Sequence, residues 1–222
     1  TTFSTTEILE VPNSAGNHAS PFVTANTEYV VASTRFSVPI PQRDMPISQY
    51  GENFKGTISF IRADQPRQMD VAFQIMMPGF DYDLARSGKG PSADWAFFTS
   101  YNTEQASTLL EVNASQKDKD FIAAVNWKTA EACVAAGKAQ DMPSRYFHNY
   151  VDEREIAVSE EKTSTKVLLP ENCPEMVYFL PTPKSPHGVD VDPSGEKIVG
   201  SGKLAATLTV FSFPRMLEAI QK

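Results

Sequence analysis

Short apolar runs recur along the whole chain, separated by polar and Pro/Gly punctuation. "EYVVAST" (28–34), "KGTISFIRA" (55–63), "MDVAFQIMM" (69–77), "WAFFTSY" (95–101), "DFIAAVNW" (120–127), "STKVLL" (164–169), "MVYFLP" (176–181), "EKIVGS" (196–201) and "ATLTVFSF" (206–213) are rich in β-branched and aromatic residues. Such runs predict strands. "DQPR", "PGFD", "SGKGPSAD" and "DPSGE" supply the turns between them. One segment predicts a helix, "WKTAEACVAAGKAQ" (127–140), with Gly137 as its stop. "TEQASTLLE" (103–111) reads as a second short helix or a turn, and "FSFPRMLEAIQK" as a helix just beginning. The polar stretch "DEREIAVSEEKTSTK", with Glu160 and Glu161, reads as a solvated surface loop. The pattern is mostly β, with strands spaced as in a sandwich or a propeller.

Two blocks of the chain resemble one another. "HASPFVTANTEYVVAS" starts at His18 and "HGVDVDPSGEKIVGS" at His187. Each runs from a histidine through a short strand and a polar turn to a second strand that ends on serine, at Ser33 and Ser201. This is a blade-like unit. In a propeller, equivalent positions of different blades point towards one axis, whereas a sandwich gives no reason for such a repeat. At about 40–50 residues per blade, the 222 residues make about two full blades and part of a third, with long loops and one short helix. That is too little to close a ring, so residues 1–222 are expected to be a piece of a propeller domain.

Composition narrows the partners. The net charge is −7, which argues against nucleic acid, because phosphate binding needs a concentrated basic surface. No apolar run approaches the ~20 residues that cross a bilayer. Cys133 and Cys173 form no CxxC pair; they read as two separate buried thiols, with a bridge as the alternative. The first residues carry no Met and no signal-peptide pattern, which fits a removed presequence or an internal piece of a longer chain.

The candidate chemistry is metal binding. Neutral imidazole suits copper and zinc, and His18 and His187 occupy repeat-equivalent positions, although a lone histidine is more often an ordinary surface residue. His148, in "RYFHNYVDERE", reads as a surface or loop histidine. Tyr101, Glu104, Asp118 and Asp120 offer hard oxygens of the kind calcium takes; the bland reading of "KDKD" is a solvated charge run. No phosphate loop, nucleophile elbow, HExxH or CxxCH is present.

"VPNSAGNHAS", "WAFFTSYNTEQASTLLE", "DFIAAVNWKTAE" and "SPHGVDVDPSGEKIVGSGKLAATLTVFSF", in this order, resemble the propeller domain of the nitrous-oxide reductase family. "SVPIPQRDMPISQYGENFKGTISFI" and "MPGFDYDLARSGKGPS" resemble its non-classical, often Sec-exported, form. The resemblance covers essentially the whole chain.

It implies a periplasmic homodimeric enzyme that reduces N2O to N2 and water. Each subunit would carry a seven-bladed propeller with a four-copper sulfide cluster on seven histidines. A cupredoxin domain would hold a dicopper site that receives electrons from a donor such as a c-type cytochrome or cupredoxin. By the same resemblance, His18 and His187 are two of the seven cluster ligands. Tyr101 and Glu104 match the family's Y-x-x-E calcium ligands, and the later aspartate ligand falls on Asp120 in preference to Asp118. Ser185 stands where the family often has asparagine. The His-His pair, the three further cluster histidines and the dicopper motif have no counterpart here, so this piece alone is expected to be inactive. The competing class is a non-enzymatic propeller scaffold whose histidines are incidental.

Overall fold

The computed structural model describes residues 9–14, 21–33, 55–62, 64, 68–78, 82–100, 120–152, 155–182, 186–202 and 206–222. In chain order the described elements are β1 (Phe22–Val23), β2 (Val30–Ser33), β3 (Lys55–Arg62), β4 (Asp70–Pro78), β5 (Tyr82–Ser87), β6 (Trp95–Ser100), β7 (Phe121–Asn126), α1 (Trp127–Ala135), β8 (Gln140–Asp152), β9 (Glu155–Leu168), β10 (Val177–Pro181), β11 (Pro186–Val191), β12 (Lys197–Gly202), β13 (Leu208–Ser212) and α2 (Phe213–Ile220).

They form three sheets. The first has the order β1-β2-β3-β4-β9-β8, the second β10-β7-β6-β5 and the third β11-β12-β13. β1 to β4 run as an antiparallel meander. The β8–β9 hairpin joins that meander's edge through a short parallel pairing of Gln74 with Val167 and Ile75 with Leu168. The second and third sheets are antiparallel throughout. Both repeated blocks are antiparallel hairpins, β1–β2 and β11–β12.

The second sheet lies between two cores. All six residues of β6 are buried, where an antiparallel strand with one wet face would alternate. Ala96, Phe98, Ala123 and Val125 pack with Tyr29, just before β2, and with Val31, Ile58, Phe60, Phe73 and Ile75 of the first sheet. Trp95, Phe97, Ile122 and Ala124 pack with Val189, Val191 and Ile198 of the third sheet and with Phe213 and Met216 of α2. Side chains of a strand point alternately to opposite faces, so a near-continuous apolar run is what a strand covered on both faces requires.

α1 begins at Asn126, whose side chain accepts a hydrogen bond from the Thr129 amide at 3.0 Å. It stops at Gly137 as the sequence predicts. Gly137 has φ +74°, and its amide and that of Lys138 bond back to Val134 and Cys133, a left-handed end that suits a residue without Cβ.

Three expectations are corrected. Cys133 and Cys173 are bonded to each other, with Cα atoms 6.3 Å apart, because α1 and the turn before β10 bury both sulfurs in the first core. They are not separate thiols. The stretch around Glu160 and Glu161 is not a loop, since both residues lie in β9. Of the surface or loop reading of His148, the loop half is corrected: its backbone lies in β8, opposite Ala157 in the β8–β9 hairpin. Mutual pairing satisfies the backbones of β8 and β9, so these strands form despite their polar sequences. β5 has no counterpart among the predicted strands. The 103–111 segment lies outside the described residues.

Candidate metal centre

His187 sits where β11 departs from regular pairing. Pro186 opposes Gly202 and Gly188 opposes Ser201, so His187 is the extra residue of a β-bulge. A bulge bends the strand and re-aims a side chain. The backbone on either side of the imidazole is held by hydroxyl groups. Thr99, fully buried on β6, donates to the His187 carbonyl at 3.2 Å. The Gly188 amide donates to Ser201 Oγ at 3.1 Å. A Cβ added to Gly188 would lie 2.6 Å from that Oγ, so a side chain beside the histidine would push the Ser201 hydroxyl out of this bond.

Thr99 also faces a second irregularity. Tyr82 opposes Ser100 and Ala85 opposes Phe98, so Asp83 and Leu84 together face the single residue Thr99. The Leu84 amide donates to Thr99 Oγ1 at 3.1 Å, and the Leu84 carbonyl lies 3.3 Å from that oxygen. Two bulges on two sheets thus meet at one hydroxyl.

Asp120 lies at the same end of the second sheet. It is buried, immediately precedes β7, and its carbonyl accepts from the Thr182 amide at 3.2 Å. The neighbouring pair Ser100–Phe121 adjoins the pair Thr99–Ile122. The end of β6, the start of β7 and the bulge of β11 therefore converge. Phe22, four residues after His18 in the chain, brings its ring 5.9 Å from that of Phe98.

The remaining sequence candidates, His18, Tyr101, Glu104, Asp118 and Ser185, lie outside the described residues. Among the described residues no group of three or more His, Cys, Asp or Glu is placed to hold a metal ion. The donors that are described fit by type: the imidazole of His187 suits copper, and the carboxylate of Asp120 is a hard oxygen suited to calcium. Thr99 and Ser201 are absent from the sequence candidates. The one available signal was the stripe Trp95-Phe97-Thr99, apolar until its last position.

No helix among the described residues is long and apolar enough to cross a membrane. No family model matches the chain. It is 26% identical over 211 residues to the nitrous-oxide reductase of Pseudomonas fluorescens, 23% over 211 residues to that of Stutzerimonas stutzeri, and 26% over 219 residues to that of Cupriavidus necator. Each match covers 95% of this chain. The chain spans 30% of the length of these curated relatives. Over nearly all of its length, then, this chain resembles nitrous-oxide reductase.

Proposed function

We propose that this chain is part of a periplasmic multicopper enzyme that reduces N2O, N2O + 2 e⁻ + 2 H⁺ giving N2 + H2O. The observation that carries the reading is the similarity to nitrous-oxide reductases across 95% of the chain. His18 and His187 are proposed as two imidazole ligands of a four-copper sulfide cluster. Tyr101, Glu104 and Asp120 are proposed to hold a calcium ion beside it, with Asp118 and Ser185 as the weaker candidates. The intact enzyme would be a homodimer that takes electrons from a cytochrome c or cupredoxin, through a dicopper site on another domain.

The proposed architecture is part of a seven-bladed propeller. Three features support it: the meander β1–β4, the four-stranded second sheet packed face to face with its neighbours, and the shorter third sheet. Leu208 and Val210 alternate with Phe211 on β13, lie on the face away from the second sheet, and are exposed. That suits a blade covered by a further sheet.

Bound copper would supply a site for N2O and a store for two electrons. The protein's part is to present imidazole nitrogens in a fixed geometry, and the bulge at His187 is suited to that. Imidazole ligands need their second nitrogen oriented as well.

The test uses the full-length protein loaded with copper. N2O reduction is expected in the parent, and His18→Ala or His187→Ala is expected to lower both copper content and turnover. Full copper and full turnover in both variants would reject the ligand assignment. The 222-residue piece alone is expected to show no turnover after copper loading, and robust N2O reduction by it would contradict an incomplete centre.

A further inference from the structure

We propose that Thr99 is a positioning residue for His187, joining the bulge of β5 to the bulge of β11 through one buried hydroxyl. The inference rests on the reading of His187 as a metal ligand.

A residue in register has its backbone fixed by the ladder. His187 stands outside the register of β11 and β12, so its direction depends on contacts made across sheets. Thr99 continues the stripe of Trp95 and Phe97 that faces the third sheet, and it replaces an apolar contact with a directed one. Its oxygen accepts the Leu84 amide. Its single proton is then left for the two carbonyls in reach, those of His187 at 3.2 Å and Leu84 at 3.3 Å, one on each bulge. The hydroxyl is fully buried, so water does not compete for either role. Ser201 completes the clamp by accepting the amide of the next residue, Gly188. Metal centres lose function when a ligand is displaced by about 1 Å, so a clamp on the ligand's own backbone has a direct consequence for the centre.

The experiment compares Thr99→Val, which keeps the shape and removes the hydroxyl, with Thr99→Ser, which keeps the hydroxyl, and with His187→Ala, all in the full-length protein. Amide exchange is read at Gly188 and Val189, with Phe97 and Val125 as references, and copper is measured by elemental analysis. Thr99→Val is expected to speed exchange at Gly188 and Val189 about tenfold, leave the references unchanged and lower copper content. Thr99→Ser is expected to restore both. If the buried valine prevents folding, Thr99→Ala, which also removes the hydroxyl and buries no added methyl in its place, carries the same test at Gly188 and Val189.

Wild-type exchange at Gly188 and Val189 in Thr99→Val would overturn the proposal. So would acceleration shared equally by Phe97 and Val125, which marks a general core residue. So would undiminished copper in Thr99→Val when His187→Ala loses it. Full copper in His187→Ala would instead overturn the ligand reading, and the exchange rates would then decide separately whether Thr99 holds the bulge.

Discussion

Phe97 and Phe98 are neighbours in the chain and belong to different cores: Phe97 packs towards the third sheet and α2, Phe98 towards the first sheet. The two tryptophans divide in the same way, Trp95 into the second core and Trp127 into the first. Each core therefore has its own fluorescent reporter. In single-tryptophan variants, Phe97→Ala is expected to shift the Trp95 emission and leave Trp127 nearly unchanged, with Phe98→Ala doing the reverse. Each truncation is expected to cost about 3–5 kcal/mol in urea unfolding. Equal responses of both reporters to both variants would contradict the division.

The Cys133–Cys173 bridge closes a separation of 40 residues and ties α1 to the turn that leads into β10. The chain-entropy model gives such a closure about 4 kcal/mol. Replacing both cysteines with serine is expected to lower stability by about that amount, to be checked by urea denaturation with and without reductant. Reductant is expected to destabilise the parent and leave the double variant unaffected.

Gln74 is fully buried in β4. Its side-chain amide donates to the Pro12 carbonyl at 2.7 Å and to Ser59 Oγ at 2.8 Å, and its carbonyl oxygen accepts from Asn13 Nδ2 at 2.9 Å. This network fastens residues 12–13 to the first sheet. Gln74→Leu removes all three bonds in a buried setting, with an expected cost of about 2–4 kcal/mol. Hydrogen exchange at Asn13 and Ser14 should accelerate more than at Phe60. A cost within 0–0.5 kcal/mol, about that of a surface change, would reject the role.

Tyr29, immediately before β2, donates to Glu131 of α1 at 2.7 Å. Burial, and then the Glu131 carboxylate, push its phenol from 10 up to about 12. Neutral Tyr29 is thus favoured by folding. Its contribution is fully present below the unfolded value near 10 and is lost as pH rises towards about 12. Over that window the parent is expected to lose stability more steeply than Tyr29→Phe, measured as the urea midpoint against pH. Parallel curves would contradict it.

What was legible in the sequence follows from how locally each feature is determined. β3, β4, β6 and β7 announce themselves because buried strands need continuous apolar runs. The stop of α1 is visible because Gly137 meets a local backbone demand. β8 and the first part of β9 are hidden because they stabilise each other by pairing, with little apolar signal; only the end of β9, in "STKVLL", announces itself. The Cys133–Cys173 bond depends on how α1 packs, and no local pattern encodes that. At the candidate centre, His187 and its glycine are visible in "PHG", but the hydroxyl that holds its carbonyl comes from Thr99, 88 residues away in the chain.

The central claim is that His187 is a copper ligand. Anomalous diffraction at the copper edge from crystals of the full-length, copper-loaded protein tests it most directly. The account predicts an anomalous peak about 2 Å from a ring nitrogen of His187, the usual metal–imidazole distance. Copper peaks elsewhere in the molecule, with none at His187, would contradict it.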